Sequence, residues 1–378
     1  MLAGLLAAVS ASAEPADRVA AGGVSLRHIG DWEFEPRAEF LGARIGGLSG
    51  IDYEPAWNDR GMLVVISDDP GRHGPARAYL GEIEVADDRI VGLDWSYLLR
   101  LTWATGERMA GNGLDPEGIR IAMHEGFFGE PSLIWVSEGR ADVASGPERG
   151  APRIYEMCSA ATRMDEWPAH ETHVPTSSGR GAKGNRGFES IALMTRQTAI
   201  VGTEEPLRQD ARDDGRFVRL STYSFEEPMT GPIAQVAYPL DEAPPVGVHG
   251  LVELLGLENG RLLALERSGT PLGSFGAKLY LIDLAEATDT LGEASLAGAA
   301  FTPATKTLVA DLGELLPSVG NIEGLCFGPT LDDGTATLLL VSDSNFAAGV
   351  PTVISALAIE DDGGAIRRAP LSQISDAE

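Results

Sequence analysis

The feature that most constrains this chain is a pair of short apolar runs that recurs five times. In the second copy, IRIAM begins just after Glu117 and LIWV ends just before Glu138, with turn-forming residues between the two runs. In an antiparallel pair, the start of one strand lies beside the end of the other. The two carboxylates should therefore share one edge of a sheet.

The copies occur at a regular spacing. Their first strands open with Ser49-Gly50-Ile51, Glu117-Gly118-Ile119, Glu189-Ser190-Ile191, His249-Gly250-Leu251 and Glu323-Gly324-Leu325. Their second strands close at Asp68, Glu138, Glu204, Glu266 and Asp343, which are 62 to 77 residues apart. This period is too long for one hairpin and contains further strand-like runs, which indicates a four-stranded sheet repeated around an axis. Sheets repeated in this way form a β-propeller.

We therefore predict an all-β protein, a single β-propeller of five four-stranded blades. Six blades are the alternative, because the second and fourth repeats are long enough to contain another. A strand within residues 25–40 should close the last blade from the N-terminus. The fourth strand of the second blade is expected at HETHVP, residues 170–175.

The first residues are typical of an export signal. An apolar run ends in Ala11-Ser12-Ala13, so we expect residues 1–13 to be a signal peptide and residues 14–378 to form the propeller domain. The run is too short to span a bilayer, and no membrane insertion is expected. The protein should be periplasmic or secreted, and monomeric. Cys158 and Cys326 lie in different repeats, which favours buried thiols over a disulfide.

The charge balance excludes one class of function. The chain has 29 basic and 56 acidic residues, for a formal net charge of −27. Such a surface repels nucleic-acid phosphates and attracts cations, so nucleic-acid binding is not expected.

Several segments together resemble the bacterial phytase-like family, described as having esterase-like activity of phytase. They are GLSGID with LVVISDD, DPEGIRI with VSEG, NRGFESIAL, ALERS, and NIEGLCFGP with LLLVSDSNF. The resemblance extends from about Gly46 to the end of the fifth repeat. It implies an exported propeller that hydrolyses phosphoesters, and β-propeller phytases use calcium held by carboxylates to bind phosphate.

The acids at the strand ends are the candidate metal ligands. Because they should gather at one mouth of the propeller, they would repel one another unless a cation, Arg or Lys, or protons relieve the repulsion. Calcium takes six to eight oxygen ligands. The candidates for a Ca²⁺ site are Glu117, Glu138, Glu189, Glu204, Glu323 and Asp343. Alternatively, each acid accepts backbone N–H groups and holds neighbouring blades together.

Other residues near the strand ends are candidates for binding and catalysis. Because guanidinium groups match phosphate geometry, the candidates for substrate binding are Arg267, Arg140, Lys183 and Arg186. The alternative is that these cations only neutralise the acids. The candidate catalytic residues are Glu117, Glu323 and His249, the last as a general acid. We expect Asp68, Glu266 and His249 to lie on the same rim as the other acids.

These observations leave three functional hypotheses. The first is an exported phytase-like hydrolase of phosphate esters, with a small-molecule ester as substrate. A metal or Arg cluster would neutralise the phosphoryl oxygens while a carboxylate orients water. The second is a lactonase-like carboxylic esterase whose single metal polarises a carbonyl. The third is a propeller without catalytic activity that binds a ligand or partner at the same mouth.

Overall fold

The N-terminal part of the chain forms two strands and a small hairpin. A computed structural model describes residues 18–21, 23–69, 72–101, 114–123, 132–139, 151–158, 164–211, 215–271 and 273–369. The first elements are β1 (Arg18–Ala21), β2 (Val24–Glu33), β3 (Glu39–Phe40) and β4 (Ala43–Arg44). The predicted signal peptide, residues 1–13, lies outside the described residues.

The next twelve strands form three antiparallel sheets of four. Blade 1 consists of β5 (Leu48–Glu54), β6 (Met62–Ser67), β7 (Arg77–Ala86) and β8 (Arg89–Arg100). Blade 2 consists of β9 (Pro116–Ala122), β10 (Ser132–Ser137), β11 (Arg153–Cys158) and β12 (Met164–Trp167). Blade 3 consists of β13 (Phe188–Leu193), β14 (Thr198–Thr203), β15 (Phe217–Ser224) and β16 (Ala234–Pro239).

The last strands complete the ring. Blade 4 consists of β17 (Val248–Gly256), β18 (Leu262–Gly269), β19 (Phe275–Asp283) and β20 (Thr305–Asp311). Blade 5 contains β21 (Asn321–Phe327), β22 (Thr337–Asp343) and β23 (Val353–Asp361), and β2 pairs with β23 as its fourth strand. The predicted five-blade propeller, closed by an N-terminal strand, is confirmed. The described residues form no sixth blade.

In the part of the chain that the structure describes, helical structure is confined to single turns between strands. It comprises one α-helical turn, α1 (Leu312–Leu315), and three 3-10 turns at Glu171–His173, Pro228–Thr230 and Glu258–Gly260. Within the described residues, no helix has the length and apolar composition needed to cross a bilayer.

One expected strand is wrongly placed. The fourth strand of blade 2 is β12, whereas residues 171–173 of the HETHVP segment form a 3-10 turn. The His170 ring accepts a hydrogen bond from the Thr172 backbone N–H (3.4 Å), which closes a local turn in place of a strand.

The innermost strands β5, β9, β13, β17 and β21 line the axis and pack against one another. All five carry long runs of buried residues. Glycine in the opening motif allows the backbones to approach closely. A Cβ at Gly50 would lie 2.4 Å from the Glu117 carbonyl oxygen, and one at Gly324 would lie 2.4 Å from the Ser49 carbonyl oxygen. The opening motif is thus a packing signal between blades.

Apolar side chains fill the layers between neighbouring blades. Between blades 5 and 1, for example, Val341 and Ile354 pack in one cluster with Ile51 and Val65. Cys158 and Cys326 are both buried, on β11 and β21 in different blades.

Arg120 on β9 connects the blades across the axis. Its guanidinium donates hydrogen bonds to the carbonyl oxygens of Ile51 (2.8 Å) and Leu254 (2.6 Å), and it forms an ion pair with Glu253 (3.0 Å). These partners belong to β5 and β17. The guanidinium of Arg120 thus finds its partners midway along the inner strands. It is separate from the acids at the opening ends of these strands.

The close approach of two inner strands at Gly50 leads to a prediction about the stability of the protein. Gly50→Ala should lower the free energy of unfolding by about 1–3 kcal/mol, because the new methyl group meets backbone atoms that cannot move independently. Denaturant unfolding measures the difference. Gly92→Ala on the outer strand β8 is the matched control, since no described residue outside its immediate chain neighbours lies within 4 Å of its Cβ position. Equal stability of the two variants would contradict the close packing of the inner strands.

Candidate functional site

Backbone irregularities direct three glutamates toward the axis. The pairing of β13 with β14 skips Glu189, and the pairing of β21 with β22 skips Glu323. The β9–β10 register shifts at the same position, around Glu117. An extra residue in one strand forms a β-bulge, which changes the direction of its side chain. The opening glutamates of blades 2, 3 and 5 therefore leave the regular sheet and converge.

These glutamates and the acids at the strand ends surround a cavity of about 280 Å³. Its acidic lining residues are Asp68, Asp115, Glu117, Glu138, Glu189 and Glu323. Glu117 and Glu138 lie at the same edge of blade 2, where the Glu138 backbone N–H donates to the Asp115 carbonyl oxygen (3.1 Å).

The carboxylates form three groups, each with oxygens within 4.8 Å of one another. The groups are Asp68, Glu323 and Asp343; Asp115, Glu117 and Glu138; and Glu138, Glu189 and Glu204. All six predicted metal ligands belong to one of them. Carboxylate oxygens so gathered could hold a hard cation such as calcium or magnesium.

The cations near this cavity are already ion-paired. Arg267 donates through Nη2 to Glu204 (3.0 Å) and through Nη1 to Asn321 Oδ1 (2.5 Å) and Glu323. Arg186 pairs with the other Glu204 oxygen (2.6 Å).

Lys183, the third described cation proposed for substrate binding, pairs with Glu205 at 2.7 Å. The fourth, Arg140, lies outside the described residues. The three described cations thus act at least as counter-charges to acids.

Several carboxylate oxygens are buried without a partner. Glu138 Oε2, Glu189 Oε2 and Glu323 Oε2 have no hydrogen-bond partner within the described part of the chain. The exposed fraction of these three residues is 2%, 3% and 8%, respectively. An unsatisfied buried carboxylate oxygen is costly, and a proton or a bound cation removes that cost. These carboxylate oxygens therefore match the ligands that a hard cation requires.

The environment raises the pKa values of these acids. Burial, with the negative charge of Glu204, raises the pKa of Glu189 to about 8. Burial and the adjacent Glu189 raise the pKa of Glu138 well above its usual range, and burial and the charge of Glu189 do the same for Glu117. Burial and Glu323 raise the pKa of Asp343 to about 7. Near neutral pH, the cation-free site should therefore retain protons on several carboxyl groups.

The side chains of His249 and Glu266 are not part of the three carboxylate groups, although these residues occupy the same positions in the repeat as the acids of the other blades. In blade 4, His249 and Gly250 pair regularly with β18, and the register shift comes later, at Val252. Without a bulge at the opening, the His249 ring turns to Glu266 (Nε2 to Oε2, 2.7 Å), which also accepts from Lys306. Of the three further residues expected on this rim, Asp68 lines the cavity, whereas His249 and Glu266 pair with each other and are not among its lining residues.

Asp115 and Asn321 are among the polar residues of the site that were not singled out from the sequence. Asp115 lies two residues before Glu117 and belongs to one group with Glu117 and Glu138. Asn321, the first residue of β21, donates from Nδ2 to Glu323 Oε1 (2.7 Å) while its Oδ1 accepts from Arg267. The DPEG and NIEG segments both carry an additional polar residue two positions before the glutamate, which is the signal that could have identified them.

The raised pKa values predict how stability depends on pH. Between about pH 5 and pH 8, the native site holds protons that the unfolded chain has released, so the free energy of unfolding of the cation-free protein should fall as pH rises. Glu189→Gln should make this fall shallower and raise the melting temperature at pH 8 in chelator. Thermal unfolding across this pH range provides the measurement. The control is Glu84→Gln at an exposed position, which should change neither the pH dependence of stability nor the melting temperature at pH 8. A wild-type stability that rises over this interval would contradict the site's electrostatics.

Comparison with known proteins gives distant structural similarities. One solved structure is a hypothetical protein from Leishmania major, at 11% identity over 88% of this chain and 91% of that chain, with a TM-score of 0.36. Another is MPT-4, a mannose phosphorylase from Leishmania mexicana in complex with a phosphate ion, at 10% identity over 87% and 88%, with a TM-score of 0.38. A bifunctional GH43-CE protein of Bacteroides eggerthii matches at 12% identity over 85% of this chain and 34% of that chain, with a TM-score of 0.40. Similarities this distant support no functional argument.

The comparison with curated proteins finds no match. A protein family does match, over residues 43–346, and its description is phytase-like, esterase-like activity of phytase. The matched residues include all five opening motifs and all five closing acids, together with Arg267. The resemblance seen in the sequence is confirmed, and the chain belongs to the phytase-like family.

Proposed function

We propose that the protein hydrolyses phosphate esters at the acidic cavity and that calcium bound by the carboxylates supports the reaction. The observation that carries the proposal is the set of buried oxygens on Glu138, Glu189 and Glu323 that have no partner among the residues that the structure describes. They lie in a cavity that also receives the Arg267 guanidinium. A cation bound there would supply positive charge for a phosphoryl oxygen.

The chain's own residues would divide the work in the following way. Glu138 and Glu189 would hold a cation, because they belong to one group and the Oε2 atom of each has no partner among the described residues. Glu117, which accepts a hydrogen bond from Ser49 Oγ (2.6 Å), has a fixed orientation and would position the attacking water.

Arg267 would contribute positive charge at the end of the axis, held in place by Glu204 and Glu323. Both carboxylates restrict its movement, so the charge is oriented before substrate arrives. This is the arrangement that stabilises developing negative charge most effectively.

The His249–Glu266 pair has no step in this mechanism, because it lies in a separate cluster with Lys306 and Tyr238. The general-acid role expected for His249 would require the ring to leave Glu266.

Export is a separate part of the proposal. It rests on the apolar run and the Ala11-Ser12-Ala13 pattern. We propose that residues 1–13 are removed and that residues 14–378 act as a monomer in the periplasm or outside the cell on a small-molecule ester. N-terminal sequencing of the protein isolated from its own cells should find Glu14 as the first residue, and a mature chain that still begins at Met1 would contradict export by this signal.

Cation binding should be visible in the stability of the protein. Exhaustive chelation should lower the melting temperature and added calcium should restore it, because a ligand that binds only the native state stabilises it by mass action. Glu138→Gln should abolish the calcium response, since this carboxylate belongs to two of the three groups. Glu84→Gln should retain the full response. A wild-type melting temperature that ignores both chelator and calcium would exclude a metal.

Hydrolysis should depend on the same residues. Glu117→Gln and Glu323→Gln should each reduce turnover of a phosphate monoester by on the order of a hundredfold, because each loses a charge that positions water or cation. Arg267→Lys should mainly raise KM, since it retains a charge but loses the fork that binds two oxygens.

Melting curves of the same variants separate loss of chemistry from loss of folding. Folded Gln variants with wild-type turnover would show that the activity does not depend on this cavity. Hydrolysis of carboxylic esters alone would favour the esterase hypothesis, and no hydrolysis of either class would favour the binding propeller.

A further inference from the structure

Two consecutive residues just after the last closing acid have a left-handed backbone conformation. The φ angle is 47° at Asn345 and 54° at Phe346. Asparagine tolerates this conformation, whereas a bulky side chain such as phenylalanine rarely adopts it. Such a conformation persists only where the surrounding structure holds it, and it is common at functional sites. The contacts of Phe346 show what holds it in this protein.

The Phe346 ring anchors the segment to the residues around the start of blade 1. It stacks on the His73 ring, with 3.9 Å between the two centroids. It also packs against Gly46 and Gly47, where a Cβ would lie 2.9 Å and 2.7 Å from ring carbons. Arg44 lies over the ring, 5.3 Å from its centroid, and donates to the Phe346 carbonyl oxygen (3.3 Å). The ring therefore occupies a space that exists because two glycines have no side chain.

The same turn places Asn345 at the acidic cavity. Asn345 lines this cavity, whereas Phe346 lines a different groove. The Asn345 backbone N–H donates to Asp343 Oδ2 (2.5 Å), which fixes the residue beside the group of Asp68, Glu323 and Asp343. Asn345 is exposed, and its carboxamide has no hydrogen-bond partner among the described residues. An anchored backbone thus holds an available amide at the edge of the site.

An amide supplies a kind of hydrogen bond that the acids of the cavity cannot. Carboxylates that hold a cation are ionised, and an ionised carboxylate only accepts hydrogen bonds. The phosphoryl group of an ester has several oxygens, and those that do not contact the cation need donors. The asparagine amide has two N–H donors and no charge, so it can bind such an oxygen beside the acids.

We propose that Asn345 is a substrate-binding residue whose Nδ2 donates a hydrogen bond to a phosphoryl oxygen of the ester. This inference rests on the proposed function, because the phosphoryl group is placed at the acidic cavity. The contacts of Phe346 and the hydrogen bond to Asp343 fix the Asn345 backbone before the substrate arrives. Binding therefore orders little more than one side chain, which favours affinity.

Asn345→Gly tests the amide without disturbing the turn, because glycine adopts positive φ angles readily. With calcium present, this variant should raise KM for phenyl phosphate about tenfold, the scale of one hydrogen bond to a charged group, without lowering the melting temperature. Asn345→Asp should reduce kcat/KM further, because a carboxylate repels the phosphoryl oxygens.

Asn259→Gly is the matched control for this substitution. Asn259 is also left-handed, with a φ angle of 66°, but it lies in the turn between β17 and β18 and does not line the cavity. This variant should keep the wild-type KM. A folded Asn345→Gly variant with the same KM as the wild type would overturn the role of the amide while leaving the phosphoesterase activity intact.

Calorimetry separates failure of this inference from failure of the proposed function. In the presence of calcium, methylphosphonate should bind Asn345→Gly about tenfold more weakly than it binds the wild type or Asn259→Gly. This result would support the role of Asn345 even if no ester is hydrolysed, whereas equal binding, or no binding to the wild type, would overturn it. Calcium alone should bind Asn345→Gly as tightly as the wild type. Weaker calcium binding would overturn the donor role and make Asn345 a cation ligand.

Discussion

Repulsion between buried carboxylates is the constraint on which the rest of this site depends. Two unit charges about 4 Å apart interact by roughly 4 kcal/mol at the effective dielectric typical of protein surfaces. The three groups of acids at the axis contain several such pairs. A few unrelieved pairs would equal the whole stability of a typical domain, which is about 5–15 kcal/mol. Among the described residues, Arg267 and Arg186 relieve the repulsion around Glu204 and Glu323, which leaves the other acids to share protons or bind a cation.

The ring architecture is what prevents these acids from moving apart. The inner strands pack at their glycines with almost no space for a methyl group, as at Gly50 and Gly324. Arg120 connects the inner strands midway along their length, and β2 closes the last blade. The ring therefore stays closed when the acids repel one another. The whole propeller therefore bears the free-energy cost of gathering the charges, and this free energy is stored in the cation-free protein. Ligand binding can use that stored free energy, because a cation relieves repulsion that the fold cannot.

Much of the fold was predictable from the sequence, because it depends on patterns that repeat. The spacing of the closing acids predicted five blades, and the position of residues 25–40 predicted how the ring closes. The details of the site were less accessible, since they depend on where each strand is irregular. Glu189 and His249 occupy equivalent positions in the repeat, yet only Glu189 lies at a bulge and points to the axis. The pairing of Arg267 with Glu204 joins blades 4 and 3, and a contact between repeats leaves no local signal.

Proton release on calcium binding tests the central claim most directly. If the carboxylates share protons in the cation-free protein, calcium must displace them, because ligands bind metal in their deprotonated form. Calorimetric titration with calcium at pH 7, repeated in buffers of different ionisation enthalpy, counts those protons. Since the pKa of Glu189 is raised to about 8, we expect calcium binding to release protons, and to release fewer in Glu189→Gln. Calcium binding with no dependence on the buffer, or no binding at all, would contradict a protonated carboxylate cluster as the cation site.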